Sequence, residues 1–136
     1  MIQQNDLLRA MCIRSAYGVK IDTHEHFKNG SKRIATLTAV NVHNKTYDFK
    51  ETYSQAVGVP LFYNGKPTCT MFLRSLSTMT PEEIEIFEGY KRGVLLDDTL
   101  QEINEMFHWL LSSKFDLEGL IPQGAAYEAT PEIYSI

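Results

Sequence analysis

The apolar positions of this chain change their period once, near residue 80. Before that point, apart from a short opening helix, they alternate in short runs, as in half-buried strands. After it they recur every third or fourth residue, as on one face of a helix. At the start, Leu7, Leu8 and Met11 fall on one side of a helix predicted from Asp6, its cap, to about Ile13. Gly18 ends that pattern, and Val19 and Ile21 then alternate with Lys20 and Asp22 as a strand. Asn29-Gly30 marks a turn within residues 28–32. Arg33 to Val42 is rich in β-branched residues, and the break in alternation between Ile34 and Leu37 predicts a bulge. Residues 43–45 form a turn into a return strand, Thr46 to Phe49. Asn64-Gly65 separates Leu61–Tyr63 from Thr68–Leu73, a further hairpin, and Pro60 and Pro67 place at least one of these strands at an edge.

Beyond the change of period, Thr80 caps a helix, Pro81 takes its first position, and Glu83 closes a capping box. Ile84, Phe87 and Tyr90 follow at helical spacing, and Gly93 is the expected left-handed stop. Asp97-Asp98 open the last helix, whose stripe of Leu100, Ile103, Phe107, Leu110 and Leu111 is what a helix packed on a core requires. The tail from Phe115 reads as an ordered, irregular wrap, with no strand or helix expected in it, anchored by Phe115, Leu120 and Ile121. The expected fold is α+β: a small, mainly antiparallel sheet of four or five strands, an N-terminal helix and two C-terminal helices covering one face. The 136 residues suffice for one domain, residues 1–136, with no internal repeat or low-complexity segment.

Charge changes this picture in one respect. The formal net charge is -4, yet residues 1–67 carry nine basic and five acidic side chains, and residues 68–136 carry four and twelve. An acidic half that is helical presents a solvated face, whereas a basic half can mark a nucleic-acid surface. No apolar run approaches the roughly 18 residues of a membrane span, and the first residues, with Asp6 and Arg9, do not read as a secretory signal. Cys12 and Cys69 lack C-x-x-C spacing and read as reduced.

The stretch KIDTHEHF, residues 20–27, carries the chemistry most worth weighing. His24 and His26 stand two apart, so on a regular strand both imidazoles would face one metal. The remaining ligand set is thin: His43 and His108, the two cysteines, and the carboxylates Asp22 and Glu25. Barrel hydrolases that open on H-x-H need about 250 residues and alternating strands and helices, so a metal-dependent hydrolase ranks last. No serine lies in G-x-S-x-G, and neither G-x-x-x-x-G-K-S/T nor G-x-G-x-x-G occurs. Lys20, Lys28, Lys32 and Arg33, near one predicted hairpin and interleaved with aromatics, are the candidate contacts for single-stranded nucleic acid.

Three blocks carry a likeness. MCIRSAYGVKI at 11–21 is similar to L-C-x-R-L-P-Y-G-V-x-V. MFLRSLSTMTPEE at 71–83 is similar to P-x-L-R-P-L-S-x-M-T-E-E-E. WLLSSKFDLEGLIPQGAAYEAT at 109–130 is similar to W-L-x-x-x-x-F-D-x-x-G-L-I-x-x-G-L-A-x-E-A. In these blocks the chain resembles a group of small proteins carried by phages, prophages and mobile elements of gut bacteria. It departs at Ser15-Ala16 (Leu-Pro in the group), at Ser75 (Pro) and at Leu117-Glu118 (an aromatic-basic pair). The resemblance brings no activity or catalytic residue; it implies an accessory protein working in the bacterial cytoplasm. The expectation is therefore a non-enzymatic, cofactor-free protein that binds a host or phage protein, with a homodimer as a further option. Nucleic-acid binding through the basic half is the alternative.

Overall fold

The structure, a computed structural model, describes residues 2–26, 30, 32–97 and 100–134, and their side chains except at 26, 96 and 97. It is α+β, as expected, but its main sheet has six strands rather than four or five. The order of elements is α1 (Gln4–Arg14), β1 (Lys20–His26), β2 (Lys32–Asn41), β3 (Thr46–Lys50), β4 (Gln55–Pro60), β5 (Phe62–Tyr63), β6 (Lys66–Pro67) and β7 (Thr70–Leu73). A short 3-10 turn, α2 (Pro81–Asp97), α3 (Leu100–Ser112), β8 (Ala126–Glu128) and α4 (Pro131–Tyr134) follow.

The sheet runs β4-β3-β2-β1-β7-β8. Its first five strands pair antiparallel, with Ile21 opposite both Ala35 and Met71. Two strands of this sheet were not predicted: β4, which pairs antiparallel with β3, and β8, from the tail. The run Thr68–Leu73, expected to fold back on Leu61–Tyr63, instead gives β7 and joins β1; Asn64-Gly65 turns only the two-residue ribbon β5–β6. The tail supplies β8, which lies parallel to β7 with Phe72 opposite Tyr127. Parallel neighbours require a crossover of a dozen or more residues. Here that crossover is the α2–α3 pair, so the helical hairpin is the connection between two adjacent strands. The break in β2 predicted between Ile34 and Leu37 is not found there, where the pairing is regular; β2 shifts register instead between Leu37 and Ala39.

The core lies between α1 and one face of the sheet. Leu7, Leu8 and Met11 pack with Val19, Ile21, Ala35, Leu37, Tyr47, Met71 and Leu73, all essentially dry. Leu120 closes the same cluster, with Ile121 half-buried against it, so the tail wraps as its apolar residues foretold. Burying such a side chain contributes about 1.5–3 kcal/mol, which makes this layer the main source of stability.

Three helix boundaries differ from the periodicity. α1 begins at Gln4, after a Gln3 cap that makes no side-chain bond, and Asp6 sits inside the first turn, favourably near the positive helix end. α2 does not stop at Gly93 but continues to Asp97, so Asp97 ends one helix instead of opening the next, while Asp98 lies outside the described residues. Gly93 stays within the helix, and a Cβ there would meet Glu102 Oε2 of α3 at 3.0 Å. The predicted turn at 28–32 falls mostly outside the described residues.

Candidate functional site

The α2–α3 hairpin is held to the sheet by one polar clamp and one aromatic cluster. The clamp begins with Thr80 and Glu83. The Thr80 N–H donates to Glu83 Oε1 at 2.9 Å and the Glu83 N–H donates to Thr80 Oγ1 at 3.2 Å, the capping box expected from the sequence. The same carboxylate receives both terminal nitrogens of Arg74, at 2.6 and 2.7 Å. The fork geometry makes this a charge-assisted pair, and the Arg74 hydrogen bonds hold the Glu83 pKa below the ordinary carboxylate value. Arg74 is itself buried, its guanidinium 4.4 Å from the centre of the Phe115 ring. Trp109 then stacks against Phe87, Tyr90 and Phe115 at 5.9–6.4 Å between centroids. At the far side Tyr17 meets His108 edge-on, Oη to Nδ1 at 2.8 Å.

These contacts use the inner side of the hairpin and leave its outer side bare. The predicted stripe of α3 is split. Leu110 is buried, whereas Leu100 is 72% exposed and Phe107 45%. On α2, no described side chain is buried; Ile84 and Ile86 are open and Leu95 is 83% exposed. A groove of about 520 Å³ is lined by Tyr90, Leu100, Gln101, Asn104, Glu105 and His108, so it takes in exposed Leu100 and borders the Trp109 and Tyr17 contacts. Residues 81–112 hold eight acidic and two basic side chains, a net of -6. The hairpin thus joins exposed apolar groups to a negative field, the combination that attracts a cationic apolar partner.

Regular strand alternation does not set His24 beside His26. His24 has φ +61 and β1 shifts register between Asp22 and His26, so the alternation that would align the two imidazoles is broken. His24 Nε2 lies 2.7 Å from Thr70 Oγ1, and the His26 side chain is outside the described residues. Among the described residues no group of three or more His, Cys, Asp or Glu side chains could hold a metal.

The described nucleic-acid candidates, Lys20, Lys32 and Arg33, are only partly brought together. Lys28 lies outside the described residues. Lys32 and Arg33 are neighbours on a strand and therefore point to opposite faces. Arg33 is tied to Glu51 through Nε at 2.9 Å and Nη2 at 2.6 Å, and to Glu25. It lines a concavity of about 420 Å³ with Thr23, Glu25, Tyr47, Glu51 and Thr68. Beside that concavity, burial pushes the Cys69 thiol up to about 12 and raises the Tyr47 hydroxyl as well, so both stay protonated at neutral pH. Lys20 and Lys32 remain on the other face.

Sequence reasoning missed the buried arginines. Arg14 is almost fully buried in the last turn of α1, where it donates to the Ala10 and Phe115 carbonyls and pairs with Glu118. An arginine on the apolar side of a helix is a local signal, but its partner lies 104 residues away. Among the described residues no helix is long and apolar enough to cross a membrane. Compared with models of protein families, with curated proteins and with solved structures, the chain matches none.

Proposed function

We propose that the chain is a non-enzymatic accessory protein of a phage or mobile element, working in the bacterial cytoplasm by binding another protein. The α2–α3 hairpin is the binding element, and the partner offers a basic, amphipathic segment. The observation that carries this reading is the outward display of Leu95, Leu100 and Phe107 on a hairpin of net charge -6. Helix-in-groove recognition uses such a surface: apolar anchors give affinity, and opposite charge around them gives orientation and rate. The same charge disfavours a homodimer through this face, because two hairpins would meet as like charges. The three blocks behind the phage resemblance meet at Arg14, Arg74 and Phe115 in the interior. That supports their being the framework that positions the hairpin.

A tagged pull-down from gut-bacterial lysate, nuclease-treated, would compare the wild type with a Leu95→Asp/Leu100→Asp variant. The expected result is one partner held near stoichiometry by the wild type and released by the variant, with a synthetic peptide of its basic amphipathic segment binding directly. Capture that survives the double substitution overturns the reading, as does a wild-type dimer, seen by light scattering, that the substitutions dissociate.

A further inference from the structure

The sheet face opposite α1 carries a group of lysines that, among the described residues, no carboxylate pairs with. Lys20 stands opposite Thr36, its Nζ 2.6 Å from Thr36 Oγ1, and Lys50 stands opposite Thr36 from β3. Lys32 and Ile34 precede Thr36 at two-residue steps and share its face. On the neighbouring strands the same face shows Phe72 and Tyr127, rings 5.5 Å apart, with Lys32 Nζ 4.2 Å from the Tyr127 centroid. Lys114 stands at the border, 5.4 Å from the Tyr134 ring, whose hydroxyl bridges the Lys20 N–H and the Phe72 carbonyl.

Two contrasts give this face its meaning. Arg14, Arg33 and Arg74 each sit on a carboxylate, whereas none of Lys20, Lys32, Lys50 and Lys114 is in an ion pair among the described residues. Burial, and after it the charge of Lys20, lowers the Lys114 pKa. Of the carboxylates nearby, Asp22 is only 2% exposed and receives the His24 N–H, Asp48 lies further along β3 and receives the Gly58 N–H, and Glu51 is held by Arg33. The face is also open: Tyr127 is 38% exposed and Ile34 41%, and a groove of about 260 Å³ is lined by Lys20, Ile34, Thr36, Lys50 and Thr52 together with Glu51.

We propose that this open face binds single-stranded nucleic acid, with Lys20, Lys32, Lys50 and Lys114 neutralising phosphates and Tyr127 stacking on a base. A flat array of strand-borne lysines around an exposed ring suits a splayed strand: bases lie on the ring and the backbone tracks the ammonium groups. A duplex hides its base faces and would use the charges alone. This site is independent of the hairpin.

The test is fluorescence anisotropy with labelled oligo-dT and oligo-rU of about 20 nucleotides, longer than the roughly 4–16 that one small fold covers. A duplex of the same length, an acidic peptide and anionic lipid vesicles are the competitors. The expected result is single-strand binding that weakens with salt, with a log–log slope of about -2 to -3 for three or four phosphate contacts. Tyr127→Ala should weaken it about 5- to 100-fold, and Lys32→Gln/Lys50→Gln should flatten the slope. Arg9→Gln/Lys66→Gln, which removes equal charge elsewhere, should leave it unchanged. Circular dichroism verifies that each variant is folded. No binding at low salt overturns the proposal. So does binding that Tyr127→Ala does not weaken, or that duplex, acidic peptide or vesicles compete for more strongly than a single strand.

Discussion

The two halves of this molecule are held together by different physics. The sheet and α1 enclose a dry layer in which Val19, Ile21, Leu37, Met71 and Leu73 lose nearly all contact with water. The α2–α3 hairpin buries Leu110 and shares the Phe115 contact, while Leu95 and Leu100 stay in solvent. The first region is stabilised by apolar burial, which is non-directional and distributed over many side chains. The second depends on a few directional contacts: the Arg74–Glu83 fork, the Thr80 box and the rings around Trp109. A region anchored so sparsely can open while the sheet stays folded, and it keeps its outer face for other uses.

The largest expected effect lies in the sheet layer. Leu37→Ala should lower global stability by about 2–5 kcal/mol in urea unfolding, since it removes a fully buried side chain and leaves a cavity. A loss no greater than that of an exposed residue would erase the contrast between the regions. Next comes the clamp. Arg74→Ala strands the Glu83 carboxylate and should cost about 2–4 kcal/mol. Its signature in hydrogen exchange is lost protection in α2 and α3 with protection kept in β1, β2 and β7; uniform loss would mean the two regions fold as one.

Acid should reproduce a weaker form of that change. The Glu83 pKa is lowered in the folded protein, so its contribution is present above the unfolded carboxylate pKa of about 4.3 and disappears as pH falls through the folded value. Hairpin protection should therefore hold from neutrality down to about pH 5 and fall only below about pH 4. A decline beginning near pH 6 would point to another group.

Gly89→Ala should act in the opposite direction, raising stability by about 0.5–1 kcal/mol. Gly89 lies inside α2, and a Cβ there would come no nearer than 3.9 Å to Arg92. The smallest effect is expected at Leu95→Ala, within about 0.5 kcal/mol, because the side chain is already exposed. A larger loss in thermal unfolding would show that the outer face is covered in solution.

Much of the local architecture was legible. The capping box at Thr80 and Glu83 and the β2–β3 turn follow from rules that act within a few residues. The tail anchors were legible as well, because Phe115, Leu120 and Ile121 are apolar between turn residues. Gly93 was misread as a stop because glycine permits a left-handed cap without requiring one, and α2 runs on through it to Asp97. The positive φ of His24, which breaks the regular alternation leading to His26, is something no periodicity reveals. Of the candidate cations, Lys20 and Lys32 share a face, but Arg33 turned out to be held by Glu25 and Glu51.

By itself the sequence determined the elements and their polarity, because helix caps, turn residues and hydrophobic periods are set by interactions between near neighbours. Tertiary structure decided which elements meet. It placed β7 between β1 and β8, joined Arg14 to Glu118 across the chain, and gathered Lys20, Lys32 and Lys50 around Thr36 on one open face. Those outcomes depend on strand register and crossover, where a shift of a single residue moves every side chain to the other side of the sheet.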